Sequence, residues 1–177
     1  GTRNVEANAA AAAFFLANLA SPQAAVARQF LAERGLDHDA ERFGVGFALP
    51  GWDNLVKHLR ARGFSDNEII TAGLALRGNR GPYDRFRGRI IWPIRDLSGE
   101  VVGFGARRIL PDDDGPKYLN TPETPVYHKS QVLYGVDLAR KQIARTQQVV
   151  IVEGYTDVMA CHLAGVDTAV ATCGTAF

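Results

Sequence analysis

From residue 1 to 76 apolar positions recur at helical spacing, and beyond that the pattern shifts to short strand-like runs. Val5 to Leu19 is alanine-rich, and Phe14, Phe15 and Leu19 give it an apolar face. Ser21 and Pro22 supply a cap and a first-turn proline for a helix running to Arg34, where Gly35 stops it. A helical turn follows Asp37, Phe43 to Phe47 is briefly extended, and Trp52 to Arg62 forms a third helix closed by Gly63. Ser65 and Glu68 make a capping box for a short helix that ends at Gly73. Gly78 to Asp84, rich in Gly, Pro and Asn, reads as a flexible loop. Arg89 to Asp96 and Val101 to Arg108 read as two strands of a hairpin turning at Leu97 to Glu100, and Pro93 places its strand at an edge or a bulge. Pro111 to Pro125 is loop-rich, with Tyr118 to Asn120 extended. A helix over Val136 to Thr146 delivers the chain to Val149–Val152, a run without polar alternation that should be covered on both faces. Tyr155 to Leu163 forms a helix ended by Gly165, and a second apolar strand is closed by Cys173, Gly174 and Thr175.

At 177 residues the chain has room for one domain and part of another. Its net charge of +1 does not by itself point to a polyanion, but the distribution does. Arg77, Arg80, Arg85, Arg87, Arg89, Arg95, Arg107 and Arg108 are opposed in their segment only by Asp84, Asp96 and Glu100. A nucleic acid responds to that local field, although a solvated strand face can carry similar charges. Phe86, Trp92, Phe104, Tyr118 and Tyr127 interleave with these arginines; most belong in a core, and Tyr118 is the one expected to be exposed. The only cysteines, Cys161 and Cys173, exclude a disulfide framework and read as core residues, even with His162 beside Cys161. No apolar run is long enough to span a membrane, so the expectation is a cytoplasmic protein.

The chemistry concentrates in Glu153-Gly154-Tyr155-Thr156-Asp157. A carboxylate at the end of a parallel strand and a second in the next helical turn stand where open α/β sheets build their sites, and such oxygens suit Mg²⁺. The plain alternative is an acid interacting favourably with a helix N-terminus.

This segment resembles the start of a Toprim domain in its primase wording, with Thr156 in place of the usual methionine. Arg85–Asp96 (RFRGRIIWPIRD), Val101–Arg108 (VVGFGARR), Pro116–Thr124 (PKYLNTPET) and His128–Gly135 (HKSQVLYG) resemble, in order, the RNA polymerase domain of DnaG-type bacterial replicative primases. The resemblance runs from about Ala9 onward and implies an α+β architecture. Residues 1–76 would be the helical part and 77–145 the basic strand and loop part of an N-terminal subdomain containing the β-hairpin. Residues 146–177 would then be the truncated start of an α/β, Rossmann-like Toprim domain.

The implied activity of the parent is nucleotidyl transfer: short RNA primers made from ribonucleoside triphosphates on a single-stranded DNA template. By resemblance Glu153 is catalytic and, with Asp157, a ligand of Mg²⁺ or Mn²⁺. Arg107, Lys117 and Tyr118 match positions that contact nucleotide or template phosphates, and Arg34 resembles a further basic contact. Zinc belongs to a parent domain outside this chain, and the replicative helicase would be met through parent regions also outside it. The chain is therefore expected to be a fragment that makes no primer itself and binds single strands weakly. Other readings are a piece of another Toprim protein, such as a topoisomerase or nuclease, or a non-enzymatic single-strand binding module. Two departures from the family wording stand out: Ala106 adds a methyl to the usual GFGGR, and Asp112 to Asp114 form an acidic loop expected to be solvated and mobile.

Overall fold

The structure is a computed structural model and describes residues 2–173; Gly174 and Thr175, expected to close the last strand, lie outside them. Residues 2–71 carry three longer helices and a short one: α1 (Thr2–Asn18), α2 (Ala25–Glu33), α3 (Asn54–Ala61) and α4 (Asp66–Thr71). A single 3-10 turn at Pro22–Ala24 leads into α2. The capping box of α4 is complete, with Glu68 N donating to Ser65 Oγ at 3.1 Å and Ser65 N donating to Glu68 Oε1 at 2.9 Å.

The central antiparallel sheet contains β1 (Gly46–Ala48), β4 (Arg89–Arg95), β5 (Val101–Arg108) and β6 (Tyr118–Asn120), adjacent in that order. Between β1 and β4 in sequence, β2 (Ala75–Leu76) and β3 (Tyr83–Asp84) form a small ribbon of their own. The segment read as a flexible loop is thus tied at its base. Gly78 and Gly81 also exchange backbone hydrogen bonds of 3.1 Å across its tip.

Alternation along β4 and β5 divides the core into two layers. On one face Ile91, Phe104 and Ala106 pack with Phe15 of α1, Leu55, Val56 and Leu59 of α3, and Ile69 of α4. Gly46 is needed there, because a Cβ would run into the Phe15 backbone, so α1 lies directly on β1. On the other face Ile90, Trp92 and Ile94 pack with Phe30 and Leu31 of α2 and with the aromatic residues that follow β6. β1 pairs with β4 only over Arg89 to Ile91, so Pro93 lies where β4 has β5 as its single partner, and the register shifts between Ile94 and Arg95. The hairpin turn is fixed by Asp96, whose Oδ1 accepts from Ser98 N, Ser98 Oγ and Glu100 N.

The last segment is a smaller sheet, β7 (Leu133–Tyr134), β9 (Ala169–Thr172) and β8 (Val150–Val152), with α5 (Val136–Thr146) before β8 and α6 (Tyr155–Leu163) after it. β8 and β9 are parallel, Val150 opposite Ala169 and Val152 opposite Ala171. The expected covering of the first parallel strand is not found: Val149, Val150 and Ile151 are 48%, 37% and 41% exposed. Among the described residues β8 is an edge strand and is covered less fully than the central β9, where Ala169 to Ala171 are buried.

Candidate nucleic-acid and metal site

The Gly103-Phe104-Gly105-Ala106-Arg107 stretch of β5 works by alternation. Phe104 and Ala106 point into the layer shared with α1, so the extra methyl of Ala106 is fully buried in apolar packing and does not crowd the site face. Gly103 and Gly105 point the other way. A Cβ on Gly103 would come within 2.6 Å of the Tyr127 ring, and one on Gly105 would overlap the ring of Tyr155. These two bare positions let Tyr127, from the loop after β6, and Tyr155, the first residue of α6, pack directly against β5. The Tyr155 ring stacks on Trp92 at 5.1 Å, meets Tyr134 edge-on at 4.8 Å, and donates its hydroxyl to Asn120 Oδ1 at 2.8 Å. Burial pushes the Tyr155 phenol well above its usual range, so it is a structural anchor, unsuited to act as a nucleophile.

This anchor seats Glu153 beside β6. Tyr118, Asn120, Glu153, Gly154, Tyr155 and Thr172 share a cleft of about 210 Å³. Arg107 is the cross-strand partner of Tyr118, so both side chains leave the same face. Arg107 and Lys117 then line an adjoining depression of about 240 Å³. Arg34 joins them through α2: its guanidinium lies 3.5 Å from the centre of the Phe30 ring, and that of Arg107 lies 4.6 Å from the same ring. The candidate residues Arg34, Arg107, Lys117, Tyr118 and Glu153 are therefore neighbours in one continuous strip. Tyr118 is 41% exposed, whereas Phe86, Trp92, Phe104 and Tyr127 are core residues.

Glu153 and Asp157 are both exposed at the end of β8. A Cβ on Gly154 would lie 3.6 Å from Asp157 Oδ2, so this carboxylate turns back over Gly154 toward the strand end. Among the described residues no group of three or more His, Cys, Asp or Glu side chains converges on one point. Two exposed carboxylates fit Mg²⁺, which takes one or two of them and completes its shell with water and substrate phosphate oxygens. His162 is occupied elsewhere, its Nε2 donating to the Ala169 carbonyl at 2.9 Å, and burial pushes the Cys173 thiol up to about 11.

Several arginines of the basic stripe also brace the fold, and Arg107 itself donates to the Arg108 carbonyl at 2.8 Å. Arg85 donates twice to the Asn120 carbonyl, Arg95 to that of Gly99, and Arg108 to that of Gly115. Arg89 is buried and ion-paired with Asp113 at 3.1 Å. The acidic loop is consequently pinned through its middle residue, and the expectation of a freely solvated loop fails at Asp113. Phe30 and Asn120, which assemble the strip, were missed in the sequence. Asn120 stood in a motif already singled out, but its role depends on a contact 35 residues away.

Residues 14–140 match the family described as DNA primase catalytic core, N-terminal domain, and residues 147–177 match the Toprim domain. The chain belongs to the DNA primase catalytic core family. This decides between a primase and the other Toprim proteins. The DNA primase of Streptomyces coelicolor is 61% identical over 177 residues, 99% of this chain and 28% of that protein. The crystal structure of the RNA polymerase domain of Mycobacterium tuberculosis primase superimposes with a TM-score of 0.97 at 58% identity, covering 99% of this chain and 58% of that one. The same domain in complex with a double-stranded DNA oligomer with a 6-nucleotide overhang gives a TM-score of 0.98, covering all of this chain and 56% of that one. A primase catalytic domain bound to single-stranded DNA matches at 41% identity and TM-score 0.88, covering 99% of this chain and 56% of that one. The chain thus spans little more than a quarter of the curated primases and somewhat over half of the solved domains.

Proposed function

We propose that this chain is part of a cytoplasmic DNA primase that synthesises short RNA primers from ribonucleoside triphosphates on a single-stranded DNA template. Residues 1–76 and 77–145 form one N-terminal subdomain in this reading, and 146–177 begin the Toprim domain. The observation that carries it is the strip in which Arg34, Arg107, Lys117 and Tyr118 lead to Glu153. Fixed cations suit the phosphates of template and incoming nucleotide, and preorganised charge of this kind is the main device of phosphoryl transfer. Tyr118, exposed beside Glu153, offers a face to an unpaired base. Glu153 and Asp157 would hold Mg²⁺ or Mn²⁺, which when bound activates the attacking hydroxyl and offsets charge on the leaving pyrophosphate. Regions of the parent outside this chain would contact the replicative helicase and hold the zinc.

The test uses the chain extended to the full length of the solved domains. Lys117→Ala is expected to abolish synthesis and weaken template or nucleotide affinity, because it removes a binding contact. Glu153→Gln should abolish synthesis with template affinity largely intact. Normal primer yield from Glu153→Gln with a normal Mg²⁺ requirement would reduce this carboxylate to a strand terminator.

A further inference from the structure

Apart from the strip leading to Glu153, a second aromatic and cationic group stands on the β2–β3 ribbon and the turn before α3. Trp52 is 51% exposed and stacks on Tyr83 with ring centres 4.3 Å apart and planes inclined by 18°. The Arg87 guanidinium lies 4.9 Å from the Trp52 ring centre and 5.7 Å from that of Tyr83. The backbone under both rings is fixed. Asp84 N donates to the Trp52 carbonyl at 2.8 Å, and the Asp84 carboxylate accepts from Leu55 N and Val56 N at the start of α3. Arg77 and Arg80 project from the same ribbon, and Arg77 donates to the Asn67 side chain at 3.2 Å.

Among the described residues none of Arg77, Arg80 and Arg87 makes an ion pair, while three of the acids near them are committed elsewhere. Asp53 pairs with Lys57 at 3.4 Å, and Asp84 is buried on the two helix amides. Asp112 and Asp114 face Arg87 across a neighbouring cavity of about 460 Å³, where Asp113 is held by Arg89. An aromatic stack that served only to pin a turn would gain by burying its larger ring. Here the indole stays half exposed, in a frame already held by backbone bonds, with the Arg87 guanidinium against it and Arg77 and Arg80 exposed on the same ribbon. A half-exposed indole set beside cations is how sequence-tolerant single-strand sites are built.

We propose that the Trp52–Tyr83 stack, with Arg77, Arg80 and Arg87, is a second contact for single-stranded nucleic acid, taking an unpaired base on Trp52 and flanking phosphates on the arginines. This rests on the reading of the chain as a primase part that engages a single-stranded template. A duplex has its base faces covered, so the ligand is an unpaired strand.

The two tryptophans make the test direct, because Trp52 is exposed and Trp92 is fully buried. The 1–177 polypeptide is titrated with a labelled oligothymidylate of about 15 nucleotides, the upper range of single-strand site sizes. Anisotropy reports total binding and tryptophan emission reports stacking. Emission should fall on binding. Trp52→Leu should abolish this quenching and weaken binding roughly five-fold or more, Trp52→Phe should restore most of the affinity, and Arg80→Ala should flatten the salt dependence. Binding with unchanged emission, or equal affinity in Trp52→Leu, overturns this contact and leaves the primase reading standing if Lys117→Ala still weakens binding. Equal quenching by a blunt duplex also overturns it. No binding by either readout overturns this contact and leaves the primase reading to the test on the extended chain.

Discussion

Arg89 and Asp113 form a buried pair: the side chains are 4% and 19% exposed, and Arg89 also donates to the Pro116 carbonyl at 2.6 Å. Removing one partner of such a pair leaves the other desolvated and uncompensated. Asp113→Ala is therefore expected to destabilise the fold by about 3 kcal/mol. Asp112→Ala and Asp114→Ala should stay within about 0.5 kcal/mol of the parent. Urea unfolding of the three variants separates them, and equal effects would mean that the loop is not held through its middle residue. Asp84 carries a different signature. Burial outweighs the two amides donated by Leu55 and Val56 and pushes its carboxyl up from 3.8 to about 6. The folded state thus binds a proton more readily than the unfolded chain, so this contribution to stability is full below about 3.8 and is lost as pH rises through about 6. Stability measured between pH 4.5 and 7 should fall more steeply with pH in the parent than in Asp84→Asn. Parallel profiles would show that Asp84 keeps an ordinary carboxyl.

At the scale of elements, the joint between the hairpin and α6 depends on two bare positions of β5. Gly105→Ala should displace Tyr155 and with it the Glu153 end of β8, because the new methyl overlaps the phenol ring. A loss of about 1–3 kcal/mol is the ordinary cost of overpacking. A crystal structure or the near-ultraviolet dichroism of Trp92 and Tyr155 would register the shift, and an unaltered spectrum at parental stability would argue against the close contact. Most of these elements were readable in advance. The limits expected for the helices at Val136–Thr146 and Tyr155–Leu163 coincide with α5 and α6, because apolar spacing and a closing glycine such as Gly165 are local signals. The site was legible mainly through motif wording, which named Arg107, Lys117 and Glu153 without saying how they meet. What was not legible depends on tertiary contact: Phe30 beneath two guanidinium groups, Asn120 between Arg85 and Tyr155, and Asp113 on Arg89. The β2–β3 ribbon escaped notice because two paired residues on each strand leave no periodicity to read.

For the molecule as a whole, binding of the 1–177 polypeptide to single-stranded DNA should be weak, nearly sequence-independent and steeply reduced by salt. Neutralising Arg107 should lower the slope of log affinity against log salt by about 0.7, the share of one phosphate on a single strand. An unchanged slope would remove Arg107 from the phosphate path. The described residues of the same polypeptide bring no three His, Cys, Asp or Glu side chains together, and it is expected to yield no primer with Mg²⁺ or Mn²⁺ present. The edge strand β8 sets how this polypeptide behaves in concentrated solution. Among the described residues its outer backbone groups face no neighbouring strand, and Val149, Val150 and Ile151 present β-branched side chains beside them. Such an edge can add a strand from another copy, so self-association should rise with concentration and ease when Ile151 is replaced by lysine.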